Sequence, residues 1–94
     1  MGMVRGNLPI VLTAAQQISV DPTGIMGVVW IPSAVSQSFV LSDNSNDVVA
    51  QASLAATGVL APVVIMFPVP IPVSGLVLKS ITAGGTLLVY LADI

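Results

Sequence analysis

Proline occupies every second position in the middle of "MFPVPIPVSGL", at Pro68, Pro70 and Pro72. Proline fixes φ near −65° and has no backbone N–H group, so prolines at this spacing exclude a helix and leave an extended chain. In a strand, successive N–H groups point to opposite edges, so the missing donors all lie along the same edge. The stretch therefore predicts an edge strand that is guarded against open-ended sheet pairing.

A second interpretation of the same stretch is a proline-rich ligand for an SH3-type groove. Such ligands have prolines three positions apart in a polar, exposed segment, whereas here the spacing is two and the flanks are apolar. The edge strand is therefore the favoured interpretation. Val69 and Ile71 keep their N–H groups on the opposite edge and share one face, so we count both among the candidate interface residues.

The rest of the chain consists of short apolar runs between turn residues, without a 3.6-residue period. Only "ASLAATG" leaves room for a helical turn. About eight short strands with near-regular turns predict an all-β fold, a single antiparallel β-sandwich or jelly roll spanning residues 10–94. The predicted strands cover residues 10–20, 25–31, 38–42, 48–49, 63–65, the proline segment, 76–81 and 86–91.

Two of the connections between strands have sequences typical of tight turns. Asp21, Pro22 and Gly24 occupy the first, second and fourth places of a type I turn. The sequence "TAGG", at residues 82–85, contains glycines that are able to adopt positive φ. It predicts a hairpin between the last two strands.

The composition is too apolar for an ordinary isolated domain. Of the 94 residues, 55% are hydrophobic and 6% are charged, whereas soluble domains carry about 25% charged residues. A membrane-spanning helix needs about 20 uninterrupted apolar residues, but the longest apolar run, residues 59–73, contains four prolines. We therefore expect no membrane span, and we expect apolar surface to be buried against copies of the chain or a larger partner.

Several predicted strands are apolar on both faces. Val28 and Trp30 alternate with Val29 and Ile31, and the strand that contains Tyr90 shows the same pattern. One face fills the core, and the other is covered either by loops of the same chain or by a neighbouring subunit. The shortage of charge favours the subunit. Trp30 and Tyr90 are therefore candidate interface residues.

The charged and reactive side chains exclude several functions. The chain has only two basic residues, Arg5 and Lys79, and a net charge of −2, so we expect no nucleic-acid binding. The chain has no cysteine and no histidine, and its four acids are all aspartates. General acid–base and nucleophilic catalysis need groups that this inventory does not supply. We expect no enzyme activity, no catalytic residues, no cofactor and no metal site.

The segment "DNSNDV" is the one place that resembles a metal-binding loop. Asp43, Ser45 and Asp47 alternate as in the first half of an EF-hand loop, but Val48 and Leu54 stand where that loop requires glycine and glutamate. A solvated turn is the favoured interpretation. A weak surface cation site is the alternative.

Three stretches together resemble small β-sandwich structural proteins of tailed bacteriophages. They are "GIMGVVWIPSAVSQSFVLSD", "APVVIMFPVPIPVSGLVL" and "GGTLLVYL", and the resemblance covers residues 24–91. One departure is "NSND", where the pattern usually has a glycine soon after the aspartate that ends a strand. The matching positions are Asp43, Phe67, Pro68, Gly75, Leu76, Val89 and Tyr90.

The resemblance implies a virion component without a catalytic site. It implies a cement or decoration protein on the capsid surface, whose oligomers, expected to be trimers, bridge neighbouring subunits of the major capsid protein. The alternative is a small module of a tail or fibre that takes part in attachment. Trp30 and Tyr90 lie inside predicted strands, which favours packing over contact with a sugar receptor.

Residues 1–9 precede the first predicted strand and have no strand period. We expect them to form an N-terminal arm that docks on a neighbouring subunit, with apolar anchors and one basic side chain that meets a carboxylate or backbone oxygens. The candidate interface residues of the arm are Met1, Met3, Val4 and Arg5.

Overall fold

The computed structural model describes residues 9–57 and 59–92, and all regular secondary structure in these residues is β-strand. The predicted all-β class is confirmed. The predicted arm, with Met1, Met3, Val4 and Arg5, lies outside the described residues except for Pro9. The strands are β1 (Ile10–Leu12), β2 (Gln16–Ser19), β3 (Thr23–Ile31), β4 (Ser38–Ser42), β5 (Val48–Ser53), β6 (Val63–Val73), β7 (Leu76–Ile81) and β8 (Thr86–Ala92).

The eight strands form two four-stranded antiparallel sheets. Sheet A has the order β1-β8-β3-β6, and sheet B has the order β2-β7-β4-β5. Strand β4 pairs with β5, β3 with β6, β2 with β7 and β1 with β8. The chain is thus one long hairpin, with its tip between β4 and β5, that is wound into two sheets. This winding is the jelly roll among the two predicted architectures.

The bounds of β4 and β7 match the predicted ones, whereas β3 begins two residues earlier, β5 ends four residues later and β8 ends one residue later than predicted. Two further predicted segments are divided differently. The predicted strand over residues 10–20 is divided, because β1 lies in sheet A and β2 in sheet B, with residues 13–15 between them. Residues 63–65 and the proline segment are a single strand, β6. Among residues 52–57, residues 52–53 belong to β5 and residues 56–57 form a turn, and no helix is present there.

Both predicted turns need correction. The Gly85 N–H donates to the Thr82 carbonyl at 3.1 Å, so a tight turn forms, and Gly84 has a φ of 95°. However, β7 and β8 lie in different sheets, so the turn carries the chain between sheets and does not close a hairpin. Gly24 lies inside β3, opposite Pro72 and Ala92, so the turn after β2 ends before it.

The prediction that the proline segment is an edge strand is confirmed, since β6 is the last strand of sheet A and pairs only with β3. Ile71 lies opposite Ile25 and Met66 opposite Gly27. Residues 67–70, with Pro68 and Pro70, therefore bulge out of register, and Pro72 returns to register opposite Gly24.

The core lies between the two sheets. The Trp30 and Phe39 rings meet across it, with centroids 5.3 Å apart and planes tilted by 51°. Both side chains are fully buried. Burial of such rings and of branched aliphatic side chains is the main contribution to folding stability. The buried apolar residues are Leu12, Ile25, Val28, Trp30, Phe39, Leu41, Ala50, Leu76, Leu78, Leu87 and Val89.

A polar side chain ties the loops together at each end of the sandwich. At one end, the Asn44 amide donates to the Val20 and Ser74 carbonyls at 3.0 and 3.2 Å. At the other end, the buried Gln37 accepts from the Ser33 N–H at 2.8 Å and donates to the Ala83 carbonyl at 3.1 Å. These bonds hold connections from both sheets in place.

Candidate interaction surface

The outward side of sheet A is apolar in each of its strands except at Thr86, which lies opposite Ile31 at the start of β8. Val11, Leu88, Val29 and Val64 lie directly opposite one another in β1, β8, β3 and β6, and so form one row across the whole sheet. We define the outer A face as the apolar side chains that project from this side of the sheet. They are Val11, Val29, Ile31, Val64, Met66, Leu88 and Tyr90.

Much of the outer A face is open to solvent. Val11 and Val64 are each 61% exposed, Met66 is 50% and Ile31 is 41% exposed. The face has no charged side chain, since the described charged residues lie in the β2–β3 turn, in the β4–β5 turn and on β7. An apolar patch that spans a whole sheet is unusual on a monomeric protein and is typical of an interaction site.

Gly27 keeps part of this face flat. It lies two residues before Val29 in β3, opposite Tyr90 of β8 on one side and Met66 of β6 on the other. A Cβ atom at this position would collide with the Met66 Sδ atom and with the Ile65 carbonyl oxygen. The absence of a side chain therefore lets the Met66 thioether lie across β3, where a flexible, polarizable group adapts to an opposing surface.

The lateral edges of sheet A are poorly suited to further strand pairing. At one edge, β1 has only 3 residues. At the other, β6 has proline at three of its positions and a bulge over residues 67–70. Short strands, prolines and bulges all block the addition of another strand. Contact with another molecule is thereby directed to the face of the sheet.

Sheet B has a different outward side. We define the outer B face as Gln17, Val40, Val48, Gln51, Val77, Lys79 and Ser80. Its central Val40 lies between Gln51 and Ser80, and the Lys79 ammonium group donates to the Asn46 side chain at 2.5 Å. The surface mixes apolar and polar groups, as water-exposed sheets do.

The predicted interface residues occupy several different environments. Tyr90 is on the outer A face. Trp30 is fully buried between the sheets and presents no surface to a partner, so its inclusion was wrong. Val69 is 64% exposed in the β6 bulge. Ile71 lies opposite the buried Ile25, at the rim of the core, and is 38% exposed.

The sequence-based selection missed four exposed residues of the outer A face: Val11, Ile31, Val64 and Met66. The alternation in "VVIMF" shows that Val64 and Met66 share a face. Their opposite neighbours, Val63 and Ile65, pack against the core. The alternation could therefore be recognised in the sequence, but the sequence did not show which of the two faces points to solvent.

The "DNSND" turn uses its first aspartate for its own backbone. The Asp43 Oδ1 atom accepts from the Ser45 and Asp47 N–H groups at 2.8 and 3.0 Å. Asn46 adopts a φ of 67°, which asparagine tolerates well. This geometry is that of a self-contained Asx turn. Within residues 9–57 and 59–92, no group of three or more acidic, histidine or cysteine side chains is placed to hold a metal ion.

Two further features of the described residues bear on function. An open depression of about 400 Å³ lies over β4 and β5, and residues 38–40 and 51–53 of these two strands line it with both polar and apolar groups. In the part of the chain that the structure describes, no helix is long and apolar enough to cross a membrane.

Comparison with protein-family models, with curated proteins and with solved structures found no match for this chain. Function must therefore be inferred from the residues themselves. The outer A face is the most distinctive surface in the described structure. The edges of sheet A do not favour pairing with another strand, so a partner would contact the outer A face itself.

Proposed function

We propose that this chain is a non-enzymatic structural protein of a bacteriophage virion, a cement or decoration protein on the capsid surface. It oligomerises and bridges neighbouring capsid subunits, and so stabilises the particle. The main support is the outer A face, which is apolar across four strands and has no charge. A surface of this kind is stabilised when another protein covers it, at about 25 cal/mol for each Å² of apolar area removed from water.

The second support is the resemblance to small β-sandwich proteins of tailed bacteriophages. In the fold, its scattered positions have structural roles: Leu76 and Val89 are buried, and Asp43 holds the β4–β5 turn. Jelly rolls occur in viral capsid proteins and also in lectins. The fold is compatible with both a cement protein and an attachment module, and by itself it selects neither.

The side-chain inventory also suits a structural role. The chain has no histidine, no cysteine and no glutamate. The Asp43 carboxylate is already committed to the backbone N–H groups of its own turn. The residues that remain distinctive are apolar and arranged over one sheet, which is an arrangement for contact with protein surfaces.

The test is to count and locate the chain on virus particles. Particles that lack the gene product are mixed with purified protein, and bound copies are counted by quantitative gel analysis or by particle mass. We expect saturation at a fixed number of copies per capsid and a higher melting temperature of the saturated particles. Antibody labelling in electron micrographs is expected to decorate the head.

The outcomes separate the proposal from its alternative. Labelling confined to the tail would replace the cement role with a tail or fibre module. Absence of the chain from purified particles, together with failure of the purified protein to bind capsids at micromolar concentration, would overturn a virion role altogether. Saturable binding that leaves the melting temperature unchanged would contradict the cement function.

A further inference from the structure

We infer that a second copy of this chain packs face to face on the outer A face, so that the two sheets A stack about a two-fold axis. The inference deepens the proposed function, on which it rests for the formation of an oligomer. It names the surface, the partner and the symmetry.

The geometry of sheet A favours its face over its edges. At one edge β1 offers 3 residues for pairing. At the other edge, Pro72 lies opposite Gly24 in β3. Since proline cannot donate a hydrogen bond to β3, this position is one at which a backbone N–H would point to the free edge. Lateral growth of the sheet is therefore disfavoured on both sides. The uncovered apolar surface is the face itself.

The area of the face is close to the lower limit for a specific dimer. At about 4.8 Å spacing, β8, β3 and β6 together are about 14 Å wide, and the seven paired residues of β3 and β8 make this part of the sheet about 23 Å long at about 3.3 Å per residue. The three residues of β1 add a strip about 4.8 Å wide and about 10 Å long. The projected area is thus about 380 Å² for each copy and about 760 Å² for a pair. Side-chain relief raises the accessible area toward the roughly 1,000 Å² that a specific interface needs.

The chemistry of the face matches a second copy of itself. Two charge-free apolar faces meet without burying an unpaired charge, which is the main energetic obstacle to association. Apolar sheets stack about 10 Å apart with their strands within about 30° of alignment. The same patch is used by both copies, so the contact is isologous and closes at two subunits.

A two-fold dimer differs from the trimer that the resemblance implied. A trimer needs two different patches on each subunit, or three sheets around a common axis. One flat face that is apolar from β1 to β6 is used fully when a single opposing sheet covers it. The face therefore favours two copies over three.

The test compares two matched substitutions in the purified protein. Val29 and Val40 are both half-buried valines that point outward from a central strand, one in sheet A and the other in sheet B. We expect the parent protein to have the mass of a dimer, twice the 9.5 kDa of one chain, in light scattering and sedimentation at micromolar concentration. Val29→Lys is expected to weaken dimerisation by at least about 100-fold, because it buries an unpaired ammonium group. Val40→Lys is expected to leave dimerisation unchanged.

A second variant separates loss of dimerisation from misfolding. Val64 is 61% exposed on the edge strand β6, so Val64→Lys is readily accommodated in a folded monomer. We expect it also to yield monomers, with the far-ultraviolet circular dichroism of the parent. A parent protein that is monomeric, or that has three times the mass of one chain, overturns the inference. Equal behaviour of the Val29 and Val40 variants overturns it as well.

The test is distinguishable from that of the proposed function. Dimerisation is measured with purified protein alone, whereas the virion role is measured on particles. A monomer that saturates capsids would remove the dimer and keep the virion role. A dimer that binds no particle would do the reverse.

Discussion

The outer faces of the two sheets differ although their inner faces are alike. Both sheets contribute large, fully buried apolar side chains to one core, such as Trp30 from sheet A and Phe39 from sheet B. On the outside, the centre of sheet A has Val29 between Leu88 and Val64, whereas the centre of sheet B has Val40 between Gln51 and Ser80. Formation of the sandwich accounts for the inner faces only.

The contrast extends to the edges of the sheets. The apolar sheet A ends in a strand interrupted by three prolines, and the more polar sheet B has no proline in its edge strands β2 and β5. The sheet with the more apolar outer face is thus also the sheet whose edge strand is protected against pairing by prolines. This combination restricts association to one direction, which is what a protein that assembles with defined symmetry requires.

The largest expected effect is a loss of stability when a side chain on the inner side of β3, but not on its outer side, is truncated. Trp30→Ala is expected to lower the free energy of unfolding by about 3–5 kcal/mol, since it leaves a large cavity between the sheets. Its neighbour Val29 points outward, so Val29→Ala is expected to cost about 1 kcal/mol or less in the monomer. Urea denaturation at a protein concentration low enough to keep the chain monomeric measures both. Similar losses for the two variants would show that the outer A face is packed within the monomer.

The second prediction concerns the edge of sheet A. Replacement of Pro68, Pro70 and Pro72 together by threonine restores three backbone donors to β6, two in its bulge and one opposite Gly24, and raises the β-propensity of the strand. We expect the variant to aggregate, as measured by turbidity and by loss of the assembled species in size-exclusion chromatography.

The matched control for this variant is Pro62→Thr, since Pro62 is exposed and lies just before β6. It is expected to behave as the parent does. If the triple variant stays as soluble and as well assembled as the parent, the prolines have a role other than protection of the edge.

Local features of the fold were predictable from the sequence. The strand bounds of β4 and β7 follow from short apolar runs between turn residues, and the edge position of β6 follows from the missing N–H groups. Each of these inferences depends on the chemistry of a few adjacent residues. The sequence likewise predicted that both faces of β3 are apolar, because apolar residues occupy successive positions of the strand.

Features that depend on distant pairing were not predictable. The glycines at residues 84 and 85 indicate a turn, but nothing local decides whether the following strand pairs with β7 or crosses to the other sheet, as β8 does. Similarly, alternation places Trp30 and Val28 on the same side of β3 without saying that this side is the inner one. That choice depends on packing against Phe39, nine residues further along the chain and in the other sheet.

The third prediction tests what holds the sheets together at their ends. Gln37 is 7% exposed, so Gln37→Ala leaves the Ser33 N–H and the Ala83 carbonyl without their partner in a place that water reaches poorly. We expect a loss of about 2 kcal/mol in the free energy of unfolding, against about 1 kcal/mol for Asn44→Ala, whose exposed partners can bond to water. Gln51→Ala, on the outer B face, serves as the control and is expected to change stability by less than about 0.5 kcal/mol. Equal losses at Gln37 and Asn44 would contradict the role assigned to burial.

The smallest expected effect lies at the tip of sheet B, in the β4–β5 turn. Asp43→Ala removes the acceptor of the Ser45 and Asp47 N–H groups and is expected to lower the free energy of unfolding by roughly 0.5–1 kcal/mol. Asp43→Asn keeps one acceptor oxygen and is expected to retain most of that stability. Because the carboxylate already bonds to its own backbone, millimolar calcium is expected to leave the melting temperature of the parent unchanged. A calcium-dependent rise that Asp43→Asn abolishes would instead identify the turn as a cation site, since a ligand that binds only the folded state raises the free energy of unfolding by an amount that grows with its free concentration relative to its Kd.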